Sequence, residues 1–329
     1  MTQLNENPAD SLKRFLSIDV FKGIAVLLMV FVNTVQNYND IPSWTKHARD
    51  YGLTYVDLVA PFFVFMLALN LNISYNRRVK KVGKKRALLR YLRRYLIFIG
   101  IGLILMIYID EHHFYFRWGT LQVLGVSGLL LLPLVNLKTY IKLIFAIVFM
   151  CIHQLLLYTP IKSVIYNSIE GGFLGLFSWG SMMVLSSVLG DGLKKGKEYV
   201  VRYFLYGGLI CFIIGISLSF FQGISRPYIS LPYILISVGI AALFYCFLYF
   251  LYEQWGTRFR FVINERIFSA IGRNAFIFFI IHLLIVYTIF TFFPPETPNY
   301  IIIPLAIGHA IFVWILAYLM NKYEIYIVI

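Results

Sequence analysis

Long apolar runs alternate with short polar segments along the whole chain. Each run is too long and too continuously apolar to be an alternating strand of a membrane barrel. Since a bilayer-spanning helix needs roughly 20 apolar residues, the pattern predicts an all-α, polytopic integral membrane helix bundle of about ten transmembrane helices. The predicted helices are 17–35, 53–75, 95–109, 118–135, 141–158, 173–190, 203–221, 230–252, 267–290 and 300–320.

Composition agrees with this fold class. Of the 329 residues, 60% are apolar and 13% are charged, whereas a soluble domain is about 45–50% apolar and about 25% charged. Soluble, disordered and disulfide-scaffold proteins are therefore excluded. We expect one transmembrane domain over residues 1–329, in which residues 1–16 form a short cytoplasmic N-terminal segment. The three cysteines lie in apolar runs without CxxC spacing, which favours packing over redox or zinc chemistry.

Basic residues are distributed unevenly between the two sides of the predicted bundle. Of the 29 Lys and Arg residues, 22 fall on the side of the N-terminus and 5 on the other, with Lys22 and Arg273 inside helices. Because cytoplasmic loops carry the excess of positive charge, both termini are predicted to be cytoplasmic. The net charge of +14 then reflects loops beside anionic lipid rather than nucleic-acid binding. The expected location is the cell membrane.

Polar residues within the predicted helices fall into two layers. An ionisable side chain at membrane depth costs on the order of 2.5–3.5 kcal/mol and is by default a functional hypothesis. Two layers favour a protein that holds one polar ligand from each side. The inner layer contains Asp19, Lys22, Asn70, Asn72, Arg273 and Asn274, and the outer layer contains Asn33, Asp57, Gln122, Gln154 and His282, with His47 in the adjoining loop and His309 nearer the middle.

The first helix reaches both layers. Asp19 and Asn33 are separated by about 21 Å along the helix axis and by only about 40° around it. One face of this helix would therefore present a carboxylate to the inner layer and an amide to the outer layer. The alternative for Asp19 is a structural pair with Lys22 or Arg273, and the alternative for Asn33 is a cap of the outer helix end.

Two histidine-containing segments invite a chemical interpretation. His47 precedes Asp57 by ten residues, and an imidazole oriented by a carboxylate is a common general base; a solvated loop histidine is the alternative. The segment 110–113 reads Asp-Glu-His-His, but successive residues do not face one site on a helix. Since no further ligands stand at zinc-like spacing, no metal is expected.

Several motifs together resemble a known family. They begin with Arg-Phe-Leu-Ser-Ile-Asp-Val-Phe-Lys-Gly at 14–23 and run on to Asn33, then continue at 47–48, 52–54, 57–59 and 61–65. Further stretches agree at 119–122, 170–172 and 272–275. This pattern resembles the heparan-α-glucosaminide N-acetyltransferase catalytic family, a group of transmembrane acyltransferases. Lys22, Arg49 and Tyr51 depart from the residues that are usual there, and because of Arg49 and Tyr51 the acceptor pocket is expected to differ.

The resemblance implies an acetyl-CoA-dependent transmembrane N- or O-acetyltransferase. Acetyl-CoA would bind from the cytosol, and an amino sugar or sugar hydroxyl of a glycan or glycolipid on the far side would accept the acetyl group. The catalytic histidine and asparagine of the family fall on His47 and Asn33, and Asp57 would orient His47 or hold the acceptor. The residues expected to bind the cofactor are Asp19, Arg93, Arg94, Gln122, Arg273 and Asn274.

Two other classes of protein remain as alternatives. A multi-pass transporter of a small polar or amphipathic solute would share the helix count and the buried polar residues. Transporters commonly contain repeated halves with interrupted helices at matching positions, and no such pair is visible in the sequence. A non-catalytic membrane partner or assembly factor would not need two polar layers. The acceptor, the acyl chain length and the oligomeric state, a homodimer included, stay open.

Overall fold

A computed structural model describes residues 15–110, 113–256 and 265–327. Most of the predicted segment 1–16, residues Glu111 and His112, and part of the basic loop around 258–260 lie outside the described residues. The α-helices are α1 (Leu16–Val35), α2 (Val59–Val82), α3 (Lys84–Leu105), α4 (Thr120–Leu131), α5 (Thr139–Leu157), α6 (Lys162–Asn167), α7 (Leu176–Gly190), α8 (Gly192–Lys195), α9 (Lys197–Val200), α10 (Gly207–Ser219), α11 (Leu231–Tyr249), α12 (Ile267–Arg273), α13 (Ala275–Phe292) and α14 (Asn299–Lys322).

Short 3₁₀ and π turns extend several of these helices. The 3₁₀ turn Tyr55–Leu58 leads into α2, Leu132–Leu134 follows α4, and Phe173–Gly175 precedes α7. The π turns Val201–Tyr206 and Phe250–Gln254 join α9 to α10 and extend α11, respectively. Further 3₁₀ turns are Ser43–Thr45 and Ile169–Gly171.

Eight helical stretches of the described residues are long and apolar enough to cross a membrane, which confirms a multi-pass helical membrane protein. The two other predicted spans correspond to α3, whose first half is basic, and to α4 with its short 3₁₀ extension. The eight stretches are Leu16–Val35, Tyr55–Val82, Thr139–Leu157, Phe173–Lys195, Lys197–Ser219, Leu231–Gln254, Ala275–Phe292 and Asn299–Lys322.

The basic loop predicted between the second and third helices is itself helical. Gly83 has φ +81°, a left-handed conformation that glycine adopts without steric cost, and its N–H bonds the carbonyl of Val79. The chain turns at this one residue and continues as α3 from Lys84. The helix predicted to start at 95 therefore starts eleven residues earlier, and its arginines are carried on a rigid element.

The prediction that the third helix extends to residue 109 is wrong, because α3 ends at Leu105 and a strand begins at Ile107. Strands β1 (Ile107–Asp110) and β2 (His113–Phe116) form an antiparallel hairpin in which Ile107 pairs with Phe116. The two strands read Ile-Tyr-Ile-Asp and His-Phe-Tyr-Phe, and aromatic and β-branched residues favour strands. This hairpin is the exception to the all-α prediction within the described residues.

A close helix crossing brings the start of α1 beside α12. A Cβ on Gly23 would lie 2.0 Å from the carbonyl oxygen of Phe268, and one on Gly272 would lie 1.8 Å from that of Asp19. Only glycine permits such an approach of two membrane helices. The predicted helix 267–290 breaks directly after this crossing, because Asn274 separates α12 from α13. The crossing fixes Arg273 close to Asp19.

Burial separates a central helix from a lipid-facing periphery. In the stretch that contains α7, 78% of its 18-residue apolar segment is buried. The buried share of the corresponding segment is only 28% in the stretches that contain α5, α10, α13 and α14. The peripheral helices expose large apolar side chains such as Ile213 and Phe312, as contact with lipid requires. Helix α1 packs against α2 and α11 as well as α12, α13 and α14, so both of its ends lie inside the bundle.

Candidate functional site

Two cavities lie near opposite ends of α1. We call the first the basic cavity; it has a volume of about 350 Å³ and its walls include Asp19 near the start of α1. We call the second the histidine cavity; it has a volume of about 150 Å³ and its walls include Asn33 near the end of the same helix. Part of each predicted polar layer lines one cavity: the basic cavity has Asp19, Lys22, Asn70 and Arg273, and the histidine cavity has Asn33, His47 and Gln122.

Six cationic side chains line the basic cavity, with Asp19 as the acid among its lining residues. The carboxylate of Asp19 lies 3.6 Å from the Lys22 ammonium, which is one of the two pairings considered from the sequence. A concave surface with this excess of positive charge concentrates anions, phosphates in particular. The cations are Lys22, Arg77, Arg78, Arg90, Arg94 and Arg273.

The α2–α3 hairpin supplies most of this charge. Arg90 and Arg94 are one helical turn apart and share a face of α3, and Tyr91 between them donates a 2.7 Å hydrogen bond to Ser74 of α2. The Arg94 guanidinium lies 5.4 Å from the centre of the Phe98 ring. Arg93 is exposed on another side of α3 and does not line the cavity, because it is turned by about 100° from Arg94.

Arg273 and Asn274 contact the C-terminal tail. Arg273 lines the basic cavity and donates hydrogen bonds to Asn321 at 2.8 Å and Tyr326 at 3.1 Å. Asn274 is buried and bonds the carbonyl of Ile325 and the N–H of Ile327. Arg273 thus borders the cavity, whereas the side chain of Asn274 holds the tail across one side of it; their cofactor-binding roles stay predictions.

A histidine–carboxylate pair borders the histidine cavity. Nδ1 of His47 lies 2.7 Å from Oδ1 of the fully buried Asp57. Oδ2 of Asp57 accepts hydrogen bonds from the backbone of Ala48 and Thr54 and from the Thr54 hydroxyl. These bonds fix the carboxylate, which then holds the proton of His47 on Nδ1. The lone pair of Nε2 remains for a substrate proton, which is the arrangement of a general base.

Asn33 is held in place by two neighbours. Its Nδ2 lies 3.1 Å from Nε2 of His282, and its Oδ1 accepts a hydrogen bond from Gln36 at 3.2 Å. Because Nδ1 of His282 lies 3.3 Å from the carbonyl of Phe278, that ring donates through Nδ1 and accepts from Asn33 through Nε2. An amide has two N–H donors. One N–H of Asn33 is therefore engaged, and the other, which has no hydrogen-bond partner among the residues that the structure describes, is left for a ligand in the cavity.

Thr34 and His309 support the same end of α1. The Thr34 hydroxyl donates to the carbonyl of Val30 and lies 3.0 Å from Nδ1 of His309. His282, of the predicted outer layer, and His309, predicted nearer the middle, lie behind Asn33 and Thr34 in the structure. Their observed contacts hold other side chains in position.

Gln122 borders the histidine cavity rather than the basic cavity, where cofactor binding was expected. Its Oε1 accepts the N–H of Gly119 at 3.0 Å, and its Nε2 donates to the carbonyl of Arg117 at 3.2 Å. Gln122 therefore satisfies backbone groups at the start of α4, as a capping residue does. Its predicted assignment to the cofactor stays a prediction.

An ion pair in the histidine cavity was missed in the sequence. Nη2 of Arg226 lies 2.5 Å from Oε1 of Glu170, whose side chain is 3% exposed. Burial disfavours the charge of Arg226, but Glu170 and Asp57 outweigh that effect, so the pKa of the guanidinium lies above its ordinary value. The sequence signal at this site was Glu170 directly before two glycines. In the structure all three residues have positive φ. The sequence places Arg226 only among the basic residues of the outer loops, because no feature of the neighbouring sequence links it to Glu170.

A thin apolar layer divides the two cavities. Phe63, Leu121 and Phe279 line both of them. The Phe63 and Phe279 rings meet edge to face with their centres 6.4 Å apart. A ligand in the basic cavity and a ligand in the histidine cavity would therefore be separated by single side chains.

Comparison with known proteins gives a consistent result. A family model described as heparan-alpha-glucosaminide N-acetyltransferase, catalytic, matches residues 14–196. The heparan-alpha-glucosaminide N-acetyltransferase of Homo sapiens is 39% identical over 95 residues, which are 28% of this chain and 14% of the human protein. The protein of the same name from Mus musculus is 35% identical over 103 residues, which are 31% of this chain and 15% of the mouse protein.

These matches cover unequal parts of the molecules. Each curated relative aligns over about one seventh of its own length. The matched segment 14–196 contains Asn33, His47, Asp57 and Glu170, whereas Arg226 lies beyond it.

Proposed function

The chain belongs to the heparan-alpha-glucosaminide N-acetyltransferase catalytic family, and from this membership we propose that it transfers an acetyl group from acetyl-CoA to an amino sugar or sugar hydroxyl of a glycan. The observation that supports the proposal best is the pair of cavities at the two ends of α1. The basic cavity has the positive charge that would bind the phosphates of a nucleotide thioester. The histidine cavity has a base and an amide donor that would serve acyl transfer.

The basic cavity would bind the donor. Coenzyme A carries a 3′-phosphate and a diphosphate, and arginine binds such groups through paired N–H donors. Arg90 and Arg94 on α3 and Arg77 and Arg78 on α2 would contact these phosphates. By the distribution of basic residues this cavity opens to the cytosol, where acetyl-CoA is made, so the acceptor would enter from the opposite side.

The pantetheine arm of the donor, which carries the acetyl group, would cross the apolar layer from the basic cavity into the histidine cavity. Phe63 and Phe279 border both cavities, and rotation of these side chains would let the pantetheine thread between them. The layer would then close around the arm and keep water away from the thioester. The thioester carbon would lie in the histidine cavity between Asn33 and His47.

His47 and Asn33 would carry the chemistry. The nitrogen or oxygen of the acceptor forms a bond to the acetyl carbon as its proton moves to Nε2 of His47, a step worth about 10²–10⁴ in rate. The free N–H of Asn33 donates to the oxyanion of the tetrahedral intermediate, a contact worth about 10²–10³. The C–S bond then breaks, and the thiolate of CoA takes the proton from His47. Asp57 holds the ring throughout.

The proposal is tested with purified protein in detergent. A ligand that binds the folded state raises the melting temperature, so CoA and acetyl-CoA are both expected to do so. The protein should then transfer the acetyl group to a methyl glycoside of glucosamine. Absence of both stabilisation and transfer would contradict the proposal and return the transporter as the better explanation.

A further inference from the structure

The Glu170–Arg226 pair lies in the histidine cavity, yet the proposed chemistry does not use it. Glu170 comes from the 3₁₀ turn Ile169–Gly171, and Arg226 comes from the loop before α11. Both side chains line the cavity together with Asn33 and His47. Two charged groups with no part in proton transfer thus border the space in which the acceptor would react.

The hydrogen bonds of this pair are incomplete. Oε1 of Glu170 accepts from Arg226 and, at 3.4 Å, from the Thr120 hydroxyl. Within the described part of the chain, the buried Oε2 of Glu170 and the buried Nε of Arg226 have no hydrogen-bond partner. Most buried polar atoms in proteins are paired, and an unpaired carboxylate oxygen is costly. Two residues that line the cavity therefore carry one unpaired acceptor and one unpaired donor.

The pair is held by two strained loops. Glu170 adopts φ +52° and ψ +30°, and its carbonyl accepts a hydrogen bond from the Trp179 indole at 3.2 Å. Ile229, three residues after Arg226, has φ +47°. Left-handed backbone at residues other than glycine is unfavourable and clusters at functional sites. Strain in both loops beside the ion pair therefore favours a functional role for the pair.

We propose that Glu170 and Arg226 bind the acceptor sugar. Oε2 of Glu170 would accept a hydrogen bond from a ring hydroxyl near the reacting group, and Nε of Arg226 would donate to an oxygen of the same ring. A pyranose hydroxyl both donates and accepts, so it fits this arrangement, whereas an alkylammonium ion, which only donates, does not. The charges of Glu170 and Arg226 offset each other, so the carboxylate of Asp57 behind His47 leaves a net negative charge beside the cavity, which favours an uncharged or cationic sugar over an anionic one. This inference rests on the proposed acetyl transfer.

The first test needs only the native protein. Acetyl transfer is measured with the methyl glycoside of glucosamine and with its 3-, 4- and 6-deoxy analogues. A site built to bind a hydroxyl rejects an analogue without it. We expect kcat/KM to fall at least about tenfold for one deoxy analogue. Equal kcat/KM for all four acceptors would overturn the inference, although the proposed transferase activity would still stand.

The second test assigns that selectivity to the pair. Glu170→Gln keeps the shape of the side chain and places an amide N–H₂ or a carbonyl where Oε2 accepts. We expect an acceptor KM raised about tenfold, an unchanged KM for acetyl-CoA, and weakened discrimination against the deoxy analogue. Arg226→Lys, which keeps the charge but loses Nε, should do the same. Glu198→Gln, at an exposed acid on α9, is the control.

The outcomes separate the two hypotheses. If the native protein transfers no acetyl group to any sugar, the proposed function fails. If it transfers and both variants keep the native acceptor KM and selectivity, only the assignment of Glu170 and Arg226 fails. A purely structural role would lower the melting temperature and leave the ratio of kcat/KM between the acceptors unchanged, which also contradicts the inference.

Discussion

The basic cavity and the histidine cavity are built on different principles. The first gathers six cations around one acid, so its selectivity comes from summed charge. In the second, Asn33, His47, Gln122 and Glu170 are each fixed by specific hydrogen bonds. Charge suffices to capture a phosphorylated ligand, whereas acyl transfer demands atoms held in place before the reaction. The contrast predicts graded losses in the basic cavity and severe losses in the histidine cavity.

The largest effect is expected at His47. His47→Ala removes the base, so kcat should fall by about 10²–10⁴, while the thermal stabilisation by CoA should persist because the basic cavity is intact. Steady-state acetyl transfer measures the fall in kcat, and melting curves with and without CoA measure the thermal stabilisation. Near-native turnover in this variant would remove His47 from the chemistry, and loss of the CoA shift would mean that the two cavities are not independent.

The second-largest loss of kcat is expected for a substitution of Asn33. Asn33→Ala removes the N–H that the mechanism assigns to the oxyanion, so kcat should fall by about 10²–10³ with little change in either KM. Asn37→Ala, at an exposed position just after α1, is the matched control and should be silent. A rise in acceptor KM at native kcat would instead make Asn33 a binding residue.

Arg93 and Arg94 offer a matched pair in the basic cavity. Arg94→Gln removes a cavity cation and should raise the KM for acetyl-CoA about tenfold with kcat unchanged, more strongly at low salt. Arg93→Gln changes an exposed residue outside the cavity and should leave KM within about twofold. Equal effects of the two variants would show that general surface charge, not the cavity, attracts the donor.

The smallest effect is expected at the apolar layer. Phe279→Ala widens the passage between the cavities, and since one methylene changes selectivity by about 10–200-fold, the preference for acetyl-CoA over butyryl-CoA should weaken severalfold. Competition between the two thioesters measures it. Phe292→Ala, on the same helix but 74% exposed, is the control. An unchanged preference would contradict the passage of the acyl group beside Phe279.

The sequence predicted the helices better than their ends. Hydrophobic runs located ten segments that the structure confirms as helices, because burial in lipid imposes a long apolar pattern. The Gly83 turn and the β1–β2 hairpin were missed, since they depend on backbone conformations at single residues and on strand pairing. At the break between α12 and α13, Asn274 bonds the C-terminal tail, a long-range contact that no local pattern encodes.

The same distinction holds for the site. His47 and Asp57 are ten residues apart and could be paired from general-base chemistry, and their contact is present in the structure. Glu170 and Arg226 are 56 residues apart, and only the packing of two loops brings them together. Arg93 and Arg94 are adjacent in sequence, yet only Arg94 reaches the basic cavity, because helix orientation decides which side chain points inward.

Delivery of an acetyl group from one end of α1 to the other is tested most directly in sealed proteoliposomes with a determined orientation. Acetyl-CoA is placed on the face that carries the 77–94 segment, and the methyl glycoside of glucosamine is placed on the opposite face. Acetylated sugar should appear in this arrangement and not when both substrates are present only on the face of the histidine cavity. Product formed only when both substrates share one face would contradict transfer through the bundle.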